Sequence, residues 1–306
     1  MKVMAQERME SVMSDHKDEV LFVTGASGKL GGSVVEELLK RGATKVVAGT
    51  REPEKLKALE DRGVTVRRAD FDDPASLETA FAGVDRLLII STDSLEVPGK
   101  RIAQHRAAIA AAVKAGVKHI AYTSAPSARP SAEGGLLDDH FRTETALYEL
   151  PIGWSVLRNA FYTDLIPVVV AGALESGKLF TATAGKGKSY VTREDCAIAA
   201  AGALLTAEGQ TIYDITGPEA VTQDALAALL TEITGKTVEH TDLPAAALLA
   251  GMKGAGVPAL MAEVLVGFDK DTAAGRHEVV TTDVEQLSGR KPTSVGDFLR
   301  AALKKK

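Results

Sequence analysis

The chain has 306 residues, 45% hydrophobic and 25% charged, an ordinary globular composition for one large domain or a domain with a smaller second lobe. Its net charge of -5, with no basic cluster before the lysines at 304–306, argues against nucleic acid as the main partner. The single Cys196 excludes an internal disulfide framework, and no apolar run approaches the roughly 20 residues of a membrane span.

Residues 1–19 read as a polar tail without the apolar core of a signal peptide, so a cytoplasmic protein with no membrane segment is expected. The apolar run at 20–23 has the mark of a strand buried on both faces. Gly25, Gly28 and Gly31 follow at three-residue spacing. Leu30, Val34, Val35, Leu38 and Leu39 then recur at helical spacing, so a strand turns directly into a helix. Each glycine has a task in such a turn: Gly25 permits the reversal, Gly28 lets a diphosphate approach the backbone, and Gly31 lets helix and strand pack closely. The free N–H groups and positive dipole end of the helix suit phosphates.

A second apolar strand is expected at 45–49, a helix at 54–62 with Leu56 and Leu59 inward, and a third strand at 64–68. Pro74 sits just inside the next helix, whose buried stripe is Leu77, Ala80 and Phe81. Strands at 86–90, 118–123 and 153–157 alternate with helices at 102–115 and 138–150. This alternation predicts an α/β fold, a Rossmann-type doubly wound parallel sheet with ligands at the strands' C-terminal ends. Beyond Asn159 the rhythm changes. A glycine-rich stretch at 171–187 precedes an alanine-rich helix at 192–207 and a strand at 211–215 that returns to the main sheet. An amphipathic helix at 222–234 and an interrupted one at 244–265 complete the reading. The organisation expected is a tail over 1–19, a dinucleotide-binding domain over 20–160, and a smaller α/β lobe over 161–306 whose segment at 190–217 rejoins the main sheet.

At the end of the second strand an acidic residue suits the ribose hydroxyls of NAD, and a basic one suits the extra phosphate of NADP. This chain has Arg51 there, with Lys29 as a second positive charge, so NADPH is expected, with NADH weaker. Asp70 and Phe71, closing the third strand, are placed for the adenine. Ser91 and Thr92, closing the fourth, are placed for the diphosphate or nicotinamide ribose. The bland reading of Arg51 and Lys29 is a solvated surface, and Glu52 next door tempers the preference.

Dehydrogenases on this fold commonly donate a proton from a tyrosine with a lysine four residues later. The five tyrosines, Tyr122, Tyr148, Tyr162, Tyr190 and Tyr213, are followed at that distance by Pro126, Ile152, Ile166, Glu194 and Gly217. The usual alcohol-dehydrogenase pair is missing. His16, His105, His119, His240 and His277 show no metal-ligand spacing with each other or with Cys196, which sits in an expected helix.

The glycine run from Val23 to Gly31, the run His119-Ile120-Ala121-Tyr122-Thr123-Ser124, His140 with Thr143-Glu144, and Leu157-Arg158-Asn159-Ala160-Phe161-Tyr162 resemble the NmrA-like atypical short-chain dehydrogenases. Within that family the chain looks like the NAD(P)H:quinone oxidoreductases and triphenylmethane reductases, from residue 20 to the C-terminus. The resemblance implies hydride transfer from NADPH, without flavin, to quinones or similar planar electron-poor acceptors, triarylmethane dyes included. A quinone reduced by hydride becomes a delocalised oxyanion and needs less help from a strong acid.

The resemblance implies cofactor contacts from Gly25, Ser27, Gly28, Lys29, Leu30, Arg51, Asp70, Phe71, Ser91, Thr92, Ser124 and His140. His140 falls where isoflavone-reductase-like relatives keep a catalytic lysine; it orients the ribose, protonates the oxyanion, or makes a structural hydrogen bond. Asn159 and Tyr162 are the other catalytic candidates, and Phe161 and Tyr162 are acceptor-stacking candidates or core aromatics. The alternative function is a non-catalytic NmrA-like redox sensor that binds dinucleotide and acts through a protein partner. The sequence is silent on oligomeric state, a homodimer included.

Overall fold

A computed structural model describes residues 16–132 and 134–303, and these group into two compact units, each treated by itself. Of the tail expected at 1–19, residues 1–15 lie outside the described residues. The first unit comprises residues up to Asn159, then Glu194–Ile215 and Asp283–Arg290.

The strands in chain order are β1 (Leu21–Val23), β2 (Val46–Thr50), β3 (Thr65–Arg68), β4 (Arg86–Ile89), β5 (His119–Ser124), β6 (Gly153–Asn159), β7 (Phe161–Tyr162), β8 (Lys178–Thr181), β9 (Lys188–Val191), β10 (Gln210–Ile215), β11 (Ala220–Val221) and β12 (Glu239–Asp242). Seven form the sheet of the first unit, in the order β10-β6-β5-β4-β1-β2-β3, with every pairing parallel. This is a Rossmann-type arrangement, and its strand order reverses between β1 and β4, where such folds open a ligand crevice. The central strands β1, β2, β4 and β5 are buried along their whole length, as their aliphatic runs require of a sheet covered on both faces.

Phe22 on β1 meets the Phe81 ring edge-on at 5.1 Å, inside a core that also holds Leu87, Ile120, Tyr122, Leu147 and Val156. The helix Arg193–Thr206 is buried all round, so alanines fill it, and a Cβ on Gly202 would stand 2.0 Å from the Leu287 carbonyl oxygen. Strand β10 then pairs with β6 in register, Ile215 opposite Asn159.

Two local readings change in the structure. The helix expected at 54–62 is a single 3₁₀ turn, Pro53–Leu56, followed by Lys57–Glu60; with Leu56 buried and the next four residues not, nothing holds a longer helix. Residues 16–19, read as tail, are tied to the first unit: Thr44 N–H donates to the Lys17 carbonyl at 3.2 Å, and Lys45 Nζ to that of Asp18 at 2.8 Å.

The second unit comprises Ala160–Arg193, Thr216–Thr282 and residues from Lys291 onward. It holds a three-stranded sheet, β11-β9-β7, and the parallel pair β12-β8. Its core is Ile166, Leu179, Tyr190, Val221, Leu226, Leu230, Val295 and Leu299. The helix Gln223–Thr234 is capped by Thr222, whose hydroxyl accepts from Ala225 N–H at 3.2 Å, and stops at Gly235. The interruption expected at 254–258 separates Ala245–Gly254 from Ala259–Ala273, which opens after Pro258.

Candidate dinucleotide site

At the switch point, the C-terminal ends of β1 to β4 surround a cleft of about 310 Å³. Its walls include Gly25, Ser27, Gly28, Arg51, Asp70, Phe71, Ser91 and Thr92. Lys29 is exposed and Leu30 half-buried in the first turn of the helix Lys29–Lys40, outside that wall; Ser124 and His140 are buried elsewhere in the same unit.

The three glycines differ in what constrains them. Gly25 has φ +60°, a turn that side chains other than glycine's rarely adopt. A Cβ on Gly31 would lie 2.3 Å from the Gly25 carbonyl oxygen, so that glycine serves backbone packing. Gly28 is extended (φ -84°, ψ 167°), a conformation open to any residue, and an added Cβ would meet only the Gly25 oxygen, at 3.2 Å. The backbone conformation therefore does not demand glycine at Gly28, although a side chain there would press on the Gly25 carbonyl, and Gly28 stands on the wall of the cleft.

The rest of the wall is held by hydrogen bonds between strand ends. Ala26 N–H donates to the Gly49 carbonyl at 2.9 Å, and the Ser27 and Thr50 hydroxyls pair at 3.0 Å. Ile90 N–H donates to the Thr24 hydroxyl at 2.8 Å, and Ser91 N–H to that of Thr123 at 2.9 Å. Arg51 is exposed at the rim and forms no hydrogen bond or ion pair among the described residues.

Behind Thr92 lies a buried polar cluster that sequence reasoning did not assemble. Thr92 N–H donates to His105 Nε2 at 3.0 Å, and Arg101 Nε donates to the Thr92 carbonyl at 2.7 Å. With its Nε2 accepting, His105 carries its proton on Nδ1 and donates to the Thr143 hydroxyl at 2.9 Å, which donates to the Asp139 carbonyl at 2.7 Å. The same logic applies to His140. Arg101 Nη2 donates to its Nε2 at 3.0 Å, so its Nδ1–H donates to the Tyr122 hydroxyl at 2.8 Å.

Burial, with the Arg101 guanidinium beside them, pushes His105 down to about 3 and His140 well below the usual histidine range. Burial raises the Tyr122 hydroxyl above its ordinary value and lowers the Arg101 guanidinium. Ser124 donates to Glu144 Oε1 at 2.6 Å, and Arg158 also grips that carboxylate.

Asn159 is buried at the end of β6. Phe161, in the second unit, has its ring 5.3 Å from Phe268 and 4.7 Å from His277, both edge-on, with Lys188 Nζ at 5.5 Å. Tyr162 is half-buried, with the Arg193 guanidinium 5.0 Å from its ring centre.

Thr24, Thr50, Asp72 and Gln104 also line the cleft and were not singled out from sequence. Thr24 and Thr50 neighbour the glycine loop and Arg51, a usable signal. Gln104 comes from the helix Lys100–Ala115 and had no local signal at all.

A Rossmann-type sheet with a glycine-loop cleft at its switch point defines a dinucleotide-binding class. A protein-family model described as NmrA-like family matches residues 17–299, and the chain belongs to that family. It is 39% identical to quinone oxidoreductase 2 of Escherichia coli (strain K12) over 282 residues, 91% of this chain and 96% of that protein. The solved structure of an NADPH-dependent quinone oxidoreductase from Escherichia coli complexed with NADPH matches with a TM-score of 0.85, 36% identity, and coverage of 93% of this chain and 100% of that one. The Citrobacter sp. triphenylmethane reductase complexed with NADP(H) matches with a TM-score of 0.81, 37% identity, and coverage of 92% and 99%. Among the described residues no helix is long and apolar enough to cross a membrane, and no cluster of His, Cys, Asp or Glu could hold a metal.

Proposed function

We propose that the protein is an NADPH-dependent oxidoreductase that reduces quinones or similar planar, electron-poor acceptors, with NADH a weaker donor. The observation that carries this reading is the pairing, in one cleft, of a glycine loop and a rim arginine that forms no hydrogen bond or ion pair among the described residues. The similarity to quinone and triphenylmethane reductases over nearly the whole chain supports an enzyme over a sensor.

In this reading the loop from Gly25 to Leu30 takes the diphosphate, with backbone N–H groups and the helix's positive end as counter-charge. Arg51, with Lys29 of the glycine loop as a second positive charge, takes the ribose phosphate, and its five fixed donors fit that group. Asp70 and Phe71 border the adenine, and Ser91 and Thr92 the nicotinamide side. The bound cofactor supplies the hydride, and the absence of the tyrosine–lysine pair suits an acceptor whose reduced form is a delocalised oxyanion.

His140 is better suited to holding Tyr122 and Arg101 than to delivering a proton, because both ring nitrogens are engaged and burial keeps it neutral. His140 and Ser124 then stand behind the site as positioning groups. Phe161 is assigned to packing, its ring already meeting Phe268 and His277. Tyr162 and Asn159 are left as the acceptor-side candidates, acting in a cytoplasmic protein.

The test is loss of NADPH absorbance against a panel of quinones, triarylmethane dyes and aldehydes. Turnover of quinones or dyes is expected. Tight NADPH binding with turnover of none would make the protein a dinucleotide sensor instead.

A further inference from the structure

Four side chains in the first two turns of the helix Lys100–Ala115 reach back to the strand ends that line the cleft. Arg101 and His105 hold Thr92 from behind. Lys100 and Gln104 hold Asp72: Lys100 Nζ lies 2.9 Å from Oδ2, and Gln104 Nε2 donates to Oδ1 at 2.8 Å. The Gln104 amide cannot flip without loss, because its Oε1 accepts the Thr92 hydroxyl at 2.7 Å. Both oxygens of Asp72 therefore have partners other than Arg51, although Asp72 and Arg51 line the same cleft. The carboxyl of Asp72 is held below its usual range by Lys100 first and Gln104 second, with the charge of Arg51 the least of the favourable causes.

We infer that Lys100, with Gln104, sets the phosphate selectivity of the cleft by keeping the Asp72 carboxylate engaged and so leaving the Arg51 guanidinium open to a 2′-phosphate. The inference rests on the NADPH reading above. Asp72 is a fixed negative charge on the wall that would receive an anion. Paired with Arg51, it would neutralise that cation and repel a phosphate. Lys100, which is not among the residues lining the cleft, competes for it through Oδ2, and Gln104 holds Oδ1. Lys100 is thus a positioning residue acting through Asp72.

The experiment titrates NADP+ and NAD+, the unreactive oxidised forms, into the wild type, Lys100→Met, Lys100→Arg, Asp72→Asn and the Lys100→Met/Asp72→Asn double variant, reading the ratio of dissociation constants. All these side chains are partly or largely exposed, so melting temperatures should stay near wild type. Lys100→Met should cut the preference for NADP+ about threefold, the size of an exposed ion pair, and Lys100→Arg should keep it. Asp72→Asn should raise the preference above wild type, and the double variant should behave like Asp72→Asn. The inference is overturned if Lys100→Met leaves the ratio unchanged, or if it lowers the ratio equally with and without Asp72. The latter would mean that Lys100 meets the phosphate itself. If the wild type binds neither dinucleotide, the NADPH reading falls; if Arg51→Ala removes the preference while Lys100→Met does not, only this inference falls.

Discussion

The cleft and the polar cluster behind Thr92 belong to the same unit, joined at Thr92, and treat their polar groups in opposite ways. In the cleft, Ser27, Gly28 and Arg51 are exposed. In the cluster, Arg101, His105, Tyr122 and His140 are buried, and both ring nitrogens of each histidine have a partner. A buried polar group must satisfy its hydrogen bonds within the protein, which leaves it little to offer a ligand; an exposed one keeps that capacity. Variants in the cleft should therefore change binding, and variants in the cluster should change stability.

The largest effect is expected from His140→Ala. It strips a partner from the buried Arg101 guanidinium and from Tyr122, and should cost about 3 kcal/mol in urea unfolding with the shape of the rate–pH profile unchanged. A variant of normal stability whose rate loss steepens as pH rises would instead make His140 a proton donor and break the comparison.

Gly28→Val should come next, weakening NADPH by about 100-fold, roughly 2.7 kcal/mol, while far-ultraviolet circular dichroism stays native. Its extended backbone allows a side chain, with the Gly25 carbonyl shifting by a few tenths of an ångström, so a normal cofactor-induced melting shift in this variant would mean the diphosphate lies elsewhere.

The third effect is on pH. His105 takes up a second proton only below about pH 3 in the folded state, against about 6.5 when unfolded. Above about 6.5 neither state binds the proton; between there and about 3 only the unfolded chain does, so stability falls as pH falls. The slope should be roughly 1.4 kcal/mol per pH unit for each such histidine, and His105→Gln should flatten it by one such increment in a series of urea midpoints. An unchanged slope would mean that His105 titrates normally.

The smallest effect should come from Ser27→Ala. Its hydroxyl already pairs with Thr50, so NADPH affinity should drop only about threefold, with the melting temperature of the free protein unmoved. A loss as large as that of Gly28→Val would give the side chain, and not the backbone shape, the main share of diphosphate binding.

Much of the cleft was legible in sequence because its determinants are local. Glycine spacing, an aliphatic strand before and an amphipathic helix after are all contained within about twenty residues. The strand ends that carry Arg51, Asp70, Phe71, Ser91 and Thr92 follow from the alternation of strand and helix. The role of His140 was not legible in the same way. Its residue type and position suggest chemistry, and only the approach of Arg101, 39 positions earlier, and Tyr122, 18 positions earlier, determines which nitrogen carries the proton. Asp283–Ser288 shows the limit for elements: six residues carry too little periodicity to read, yet Asp283 accepts from Asp214 N–H of β10 at 2.8 Å.

By itself the sequence determined the parallel doubly wound sheet, the glycine loop and the identity of the strand-end residues. Hydrophobic period and turn chemistry are short-range properties, and they outweigh alternatives over each segment. Tertiary structure decided which polar residues face the cleft and which face one another. Gln104 and Lys100 reach Asp72, and His105 reaches Thr92, only because the helix that carries them packs where β3 and β4 end. Hydrogen-bond partnership in a buried cluster depends on ångström-scale approach between segments far apart in the chain, which no local pattern encodes.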